Sequence, residues 1–240
     1  MPIRSIEPRR LYRQIAAQLR VMIEAGEYAV GSRLPPERDL AAQLGVSRPS
    51  VREALIALEV EGRVEVRMGS GVYVRAPDPR RTPAPVSAQS PLETLLARRL
   101  IESELAAHAA SHIDPDRLAG LHQALALMQH DIAAGHTPQH ADRLFHLRIA
   151  EVSENSVLVR LVGELFDERL NPLYQQLGSH FETSATWSAA LVEHRALLDA
   201  IGSGSPEAAR RAMADHLSRA HDRFMAHWPA DAVHAARSAA

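Results

Sequence analysis

The chain has 240 residues, of which 46% are hydrophobic and 4% are aromatic, and it contains no cysteine. This length suits two small domains, since domains commonly run about 100–150 residues. The absence of cysteine excludes disulfides, a thiol nucleophile and a thiolate metal site. The first residues, MPIRSIEPRR, lack the apolar segment of a signal peptide, and no run approaches about 18 apolar residues. We therefore expect a soluble cytoplasmic protein.

Charge is divided unequally along the chain. Residues 1–76 hold 12 Arg and 9 acidic residues, a net charge of +3, whereas residues 77–240 hold 15 Arg and 20 acidic residues, a net charge of −5. Between the two lies PDPRRTPAPVSAQSP, whose proline density is typical of an extended linker. The sequence therefore predicts a basic head at 1–76, a linker at 77–90, an acidic body at 91–228 and a disordered tail at 229–240.

The head has the pattern of three helices followed by a hairpin. Apolar residues recur at helical spacing from Leu11 onward, and Gly26 ends this pattern. A second helix is expected over about 36–44, and a third over about 48–61 with Ser47 as its cap. The alternating segments RVEVR and VYV flank MGSG and predict a two-stranded hairpin. This order of elements is typical of a winged helix-turn-helix.

The body is rich in alanine and leucine, which favour helices. Proline, glycine and polar residues interrupt the helical periodicity at short intervals. The helices are expected at about 91–112, 115–134, 138–153, 156–178, 184–202 and 205–227. Short connections imply antiparallel neighbours, so the fold is predicted to be mainly α, with an N-terminal winged helix-turn-helix joined to a C-terminal all-α helical bundle.

The third predicted helix carries the candidate DNA-binding side chains. Arg48 and Arg52 lie four residues apart, on one face near the N-terminus, where a recognition helix meets base edges. Arginine can bind guanine O6 and N7 with two parallel hydrogen bonds. Ser47 and Ser50 can bind phosphates or base edges, and Gly69 at the hairpin tip allows close approach to the DNA backbone. Alternatively, the two arginines lie on a solvated face and form ion pairs with acidic residues of the same helix, Glu53 or Glu59.

Four residues of the body form a candidate metal site. Asp142 and His146 are one helical turn apart, and His194 and His216 lie near the apolar stripes of two later predicted helices. A bundle can direct all four side chains at one point. One carboxylate and three imidazoles suit Zn²⁺, Ni²⁺ or Mn²⁺. The alternative is that these are hydrogen-bonded core histidines, since 13 histidines make accidental helical spacing common.

The head resembles the DNA-binding domain of GntR-type regulators. The resemblance covers about residues 9–76 and depends on RLPPERDLAAQLGVSRPSVREALIALEVEGRVEVRMGSGVYV. It implies that Arg38, Arg48 and Arg52 are the main DNA contacts, with Gly69 at the wing tip. It also implies a homodimer that binds near-palindromic operator DNA.

The body resembles the effector domain, often called FCD, of the FadR-like branch of that family. The segments DRLFHLRIAEVSENSVL, EHRALLDAI and MADHL match its aspartate and histidine segments, which implies that Asp142, His146, His194 and His216 bind a divalent metal ion. Arg98 matches an arginine that would pair with an effector carboxylate. Its alternative is a salt bridge to Glu102, one turn further along. Glu154 replaces a frequent glycine before Asn155, which leaves the geometry of that turn open.

Taken together, these features predict a ligand-responsive transcription regulator, a repressor whose effector is a small organic acid held beside the metal, and not an enzyme. One alternative is the same regulator with an apolar acyl ligand and no metal. A second is a metal-dependent hydrolase, which would need an acid or base that no separate motif provides. Neither a GxSxG elbow nor a phosphate-binding GxxxxGK[ST] loop is present.

Overall fold

A computed structural model describes residues 11–76 and 89–225. The head comprises α1 (Leu11–Glu24), α2 (Glu37–Leu44), α3 (Arg48–Val60), β1 (Val64–Arg67) and β2 (Gly71–Val74). The body comprises α4 (Pro91–His112), α5 (Pro115–Ala133), α6 (Gln139–Glu151), α7 (Ser156–Asp167), α8 (Pro172–Phe181), α9 (Ser184–Gly202) and α10 (Pro206–Met225). The predicted fold class, a winged helix-turn-helix joined to a helical bundle, is confirmed. Residues 77–88 of the predicted linker, the tail at 229–240 and the end of the helix predicted at 205–227 lie outside the described residues.

The head forms around α3, which packs against α1, α2 and β1. The Ser47 side chain accepts a hydrogen bond from the Ser50 amide at the start of this helix. The two strands pair antiparallel, with Val64 opposite Val74 and Arg67 opposite Gly71. Their shared inner face closes an apolar core that includes Ile15, Leu19, Leu40, Leu55, Leu58, Val64 and Val72.

Proline begins several helices of the body. Pro91, Pro115 and Pro172 each occupy the first turn of a helix, where a missing N–H costs little, and the preceding Ser, Asp or Asn side chain caps the helix. In the bundle, α4 packs against α6, α7, α9 and α10. Across the described ranges 11–76 and 89–225, no helix is both long and apolar enough to cross a membrane.

The prediction of a single helix over 156–178 is wrong. Instead, α7 ends at Asp167, a 3₁₀ turn spans Glu168–Leu170, and α8 begins at Pro172. Proline disfavours helical backbone in the residue before it, and the Asn171 side chain accepts the Tyr174 amide at 2.8 Å, which caps a new helix. The Asn-Pro pair was therefore the sequence signal for this break.

Glu154 adopts the left-handed conformation that a glycine would adopt more easily. Its φ is 52°, and it is the one non-glycine residue with positive φ in the described part of the chain. The Glu154 carboxylate accepts a hydrogen bond from Arg117 at 2.7 Å. The substitution therefore leaves the turn before α7 intact.

Candidate functional site

The four predicted metal ligands meet at one point in the body. Asp142 and His146 project from one face of α6, His194 comes from α9 and His216 from α10. All four are buried, and one potential ligand atom from each lies within 4.8 Å of the others. The structure therefore brings together side chains from three helices, as expected for a bundle site.

Hydrogen bonds fix which ring nitrogen of each histidine faces this point. His194 Nδ1 lies 2.7 Å from the Ala190 carbonyl oxygen, which can only accept, so Nδ1 carries the proton. His194 Nε2 is then free of a proton and lies 3.0 Å from Asp142 Oδ1 and 3.2 Å from His146 Nε2. This arrangement is the one that a metal-ligating histidine requires.

Two carboxylates hold the other two rings. Glu102 Oε2 lies 2.5 Å from His146 Nδ1, and Glu193 Oε2 lies 2.8 Å from His216 Nδ1. Each carboxylate therefore accepts the Nδ1 proton and leaves Nε2 as the ligand atom. The sequence indicated Glu102 only as a salt-bridge partner of Arg98, and it did not indicate Glu193. The signal for Glu193 was its position beside His194, whereas no spacing links Glu102 to His146.

The charge states of these groups suit metal binding. Burial alone would raise the pKa of Glu102, but the Arg98 charge, the neighbouring His146 and the hydrogen bonds from both together lower it to about 2. Burial would also raise the pKa of Glu193, but hydrogen bonds from His216 and Arg223 lower it to about 2. Burial, followed by the neighbouring His194, lowers the pKa of His216 to about 3. The carboxylates are thus ionised and this imidazole is neutral at pH 7, as ligation requires.

The donor set fits a divalent transition metal. Three imidazole nitrogens and one carboxylate oxygen are ligands for Zn²⁺, Ni²⁺ and Mn²⁺. Without a shared cation or proton, the unprotonated Nε2 atoms of His146 and His194 would direct lone pairs at each other across 3.2 Å. A cation between them would remove this repulsion.

Asp142 has a second partner that the sequence did not indicate. Arg169, in the 3₁₀ turn before α8, donates from Nη1 to Asp142 Oδ2 at 2.6 Å and from Nη2 to Glu182 at 2.9 Å. These contacts leave Asp142 Oδ1 directed at the histidines. Burial would raise the pKa of Asp142, but the neighbouring His194 and the Arg169 charge hold it well below its usual range.

A pocket lies beside the cluster, with Asp142 and His216 in its wall. Arg169 and Trp187 also line it, and their Nε and Nε1 atoms are buried donors that have no hydrogen-bond partner within the described part of the chain. Buried donors without an acceptor are costly, so a ligand acceptor here would be favourable. The other lining residues include the apolar or cationic side chains Leu95, Arg98, Tyr174, Phe181, Arg223 and Phe224.

Arg98 forms the salt bridge to Glu102 that the sequence offered as the alternative to an effector contact. Its Nε donates to Glu102 Oε1 at 2.6 Å, its guanidinium lies over the Phe166 ring at 3.7 Å, and its side chain also borders the pocket. A direct contact with an effector carboxylate stays a prediction.

In the head, the two arginines of α3 share one carboxylate. Arg48 Nε donates to Glu37 Oε1 and Arg52 Nε donates to Glu37 Oε2, each at 2.8 Å. The two acidic residues of the alternative interpretation have other contacts: Glu53 accepts from the amide of Leu92, and Glu59 pairs with a histidine of α8. The side chain of Arg48 is 42% exposed, whereas that of Arg52 is 1% exposed.

The remaining predicted DNA contacts lie at the surface of the head. Arg38 is exposed and pairs only loosely with its neighbour Asp39, at 3.1 Å. The Ser47 and Ser50 hydroxyls lie 2.9 Å apart at the exposed start of α3. Gly69 has a φ of 74° at the hairpin tip, a conformation that glycine adopts without strain. These four residues, like Arg48, are exposed or partly exposed, and their contact with DNA stays a prediction.

Comparison with known families agrees with this arrangement. Residues 11–74 match the profile of the bacterial regulatory proteins of the gntR family, and residues 93–219 match the FCD domain. The second match alone covers more than half of the chain. The chain belongs to the GntR family.

Individual relatives are similar over nearly their whole length. The Uxu operon transcriptional regulator of Escherichia coli (strain K12) is 38% identical over 224 residues, which cover 90% of this chain and 87% of the relative. The Exu regulon transcriptional regulator of the same strain is 39% identical, with 88% and 83% covered. The structure of E. coli McbR/YncC shares the fold, with a TM-score of 0.50 and 24% identity, covering 90% of this chain and 97% of that one.

These matches decide between the expected classes of function. A GntR head joined to an FCD body occurs in transcription regulators, and the relatives are regulators over the same length. The prediction of a DNA-binding regulator is confirmed, and the alternative of a metal-dependent hydrolase is set aside.

Proposed function

We propose that this GntR-family protein is a homodimeric repressor that binds operator DNA and senses a small organic acid beside a divalent metal ion. The observation that carries the proposal is the buried cluster of Asp142, His146, His194 and His216, with each imidazole oriented through Nδ1. Zn²⁺, Ni²⁺ and Mn²⁺ are the candidate ions. An ion bound there supplies coordination positions that an effector carboxylate can fill.

The charge balance around the pocket favours an anionic effector. Three guanidiniums (Arg98, Arg169 and Arg223) pair with four carboxylates (Glu102, Asp142, Glu182 and Glu193). Counted without the histidines, this set carries one net negative charge, and a divalent cation converts it to one net positive charge; Arg219, which lies 3.9 Å from Glu193, is exposed and its charge is screened by solvent. The unpartnered donors of Arg169 and Trp187 then offer hydrogen bonds to a carboxylate or hydroxyl group. A small hydroxy acid or sugar acid matches this chemistry.

Effector binding regulates DNA binding only if the effector prefers one arrangement of head and body. Arg38, Ser47, Arg48, Ser50 and Gly69 form the accessible DNA-binding surface. In a dimer on a near-palindromic operator, two such surfaces must match the spacing of the half-sites. A change in packing between body and head alters that match.

The deciding experiment is metal analysis of the purified, tag-free protein, followed by a thermal-shift screen of small carboxylates with and without chelator. We expect about one metal ion per chain and a stabilisation by carboxylates that chelator abolishes. The His194→Ala variant should lose both, while His122→Ala, an exposed histidine on α5, should lose neither. Wild-type protein that binds no added metal would contradict the proposal and favour an apolar ligand in the same pocket.

The DNA-binding half has a separate test. Arg48→Ala should weaken operator binding by about 1–3 kcal/mol and relax base preference, because arginine on a recognition helix reads guanine through two hydrogen bonds. Fluorescence anisotropy with a duplex selected from a random library by the wild-type protein measures both effects. Unchanged affinity and sequence preference would show that α3 does not read bases through Arg48.

A further inference from the structure

The recognition helix α3 does not face solvent along its whole length, because the body packs against it. On the α8 side, His180 Nε2 lies 2.7 Å from the Glu59 carboxylate, and both side chains are mostly buried. Glu59 also accepts a hydrogen bond from the Val66 amide in β1. This contact therefore ties α8 to both the recognition helix and the wing.

A second contact encloses Arg52. Its Nη1 donates to the carbonyl oxygen of Phe224, in the last described turn of α10, at 2.5 Å. Its Nε and Nη2 donate to Glu37 at 2.8 and 3.3 Å. Reading a guanine requires two N–H groups directed at the base edge. A guanidinium that is 1% exposed, with three of its nitrogens engaged in this way, cannot provide them.

We propose that α8 and the last turn of α10 form a docking surface for the recognition helix, and that this docking competes with operator DNA for Arg52. The head of the same chain binds to this docking surface through Arg52 and Glu59. Arg48, on the same face of α3 and 42% exposed, stays accessible while Arg52 is held. The docked protein therefore retains part of its DNA-binding surface, and full recognition requires release of Arg52.

The docking surface is continuous with the pocket beside the metal cluster. Phe181 and Phe224 line that pocket, while His180 and the Phe224 carbonyl hold the head. Next to Phe224, Arg223 donates to Glu193 at 2.8 Å, and Glu193 holds His216. A ligand that shifts α8 or the end of α10 thus changes the docking as well. This link to the effector rests on the proposed function, whereas the docking itself does not.

The test uses metal-free, effector-free protein, so its outcome is independent of the proposed metal site. We compare His180→Ala with His122→Ala, an exposed histidine of α5 outside the interface, on a duplex selected from a random library by the wild-type protein. Loss of the His180–Glu59 contact should raise operator affinity about fivefold or more, within the usual range of coupling between sites. The control should match the wild type. Equal or weaker binding by a folded His180→Ala variant would overturn the proposal.

Hydrogen exchange provides a test that needs no substitution. If operator DNA displaces the docked arrangement, amides of α8 and of the end of α10 should exchange faster when DNA is added to the wild-type protein. Amides of α5, which lies away from the contact, should not change. Unchanged or slower exchange at α8 and α10 on DNA binding would mean that the head stays docked while it reads DNA, and would also overturn the proposal.

Discussion

The head and the body each bury a group of charges, but the two groups are assembled differently. In the head, Glu37, Arg48 and Arg52 lie on adjacent helices and span only 15 positions. In the body, the partners are far apart in sequence; Glu102 and His146, for example, are separated by 44 positions. The head group is thus a local feature of the helix-turn-helix, whereas the body group exists only once the bundle has formed.

The two groups also differ in the ratio of carboxylates to guanidiniums. In the head, the single carboxylate of Glu37 accepts hydrogen bonds from two guanidiniums, those of Arg48 and Arg52. In the body, four carboxylates accept from three guanidiniums at 2.9 Å or less, and this excess of negative charge favours a cation.

The comparison predicts that the head group is the more important for folding. Arg52→Ala leaves Glu37 buried beside only the half-exposed Arg48, and removing one partner of a buried pair costs about 3–5 kcal/mol. Urea unfolding measures this as a lower free energy of unfolding. A loss below about 1 kcal/mol would mean that Arg48 and solvent can replace Arg52, and that the head group is not structural.

Substitutions in the body group should lower the affinity for the metal ion. Glu102→Gln and Glu193→Gln each keep the size of the side chain but remove the charge that orients a ligand histidine. Such changes typically lower metal affinity about 10–100-fold. Competition with a chromophoric chelator measures the effect, and it detects orientation of the ligands independently of DNA binding.

Glu104→Gln is the matched control for that experiment. Glu104 lies on α4 two positions after Glu102, but it is exposed and pairs with Arg210. Its substitution should leave metal affinity unchanged. If Glu102→Gln and Glu193→Gln behave like this control, the two carboxylates are ordinary core ion pairs and do not position the histidines.

The same contrast explains what the sequence could predict. The helix-turn-helix follows from local signals, such as Ser47 as a cap and the left-handed Gly45 that ends α2 with a φ of 65°. The four ligand types could be proposed because helical spacing places Asp142 with His146 and because the family resemblance indicated the two later histidines. Glu102 could not be assigned, since its i,i+4 spacing from Arg98 predicts a salt bridge but does not reveal the histidine on another helix.

Arg52 shows a different limit. Its spacing from Arg48 places both on one face of α3, and no periodicity distinguishes them. The body creates the difference by packing α8 and α10 against one end of that face. Burial that depends on a contact 172 positions away in sequence cannot be read from the helix alone.

The smallest expected effect on folding is at Arg38, and it sharpens the contrast with Arg52. The Arg38 side chain is 57% exposed and pairs with the adjacent Asp39, so Arg38→Ala should change the free energy of unfolding by less than about 1 kcal/mol. Operator binding should still weaken. If Arg38 contacts a phosphate, the slope of log affinity against log salt should fall by about 1 and sequence preference should persist; if it contacts a base, preference should relax. Unchanged operator affinity would remove Arg38 from the DNA-binding surface, and would leave Arg48 as its main arginine while Arg52 is docked.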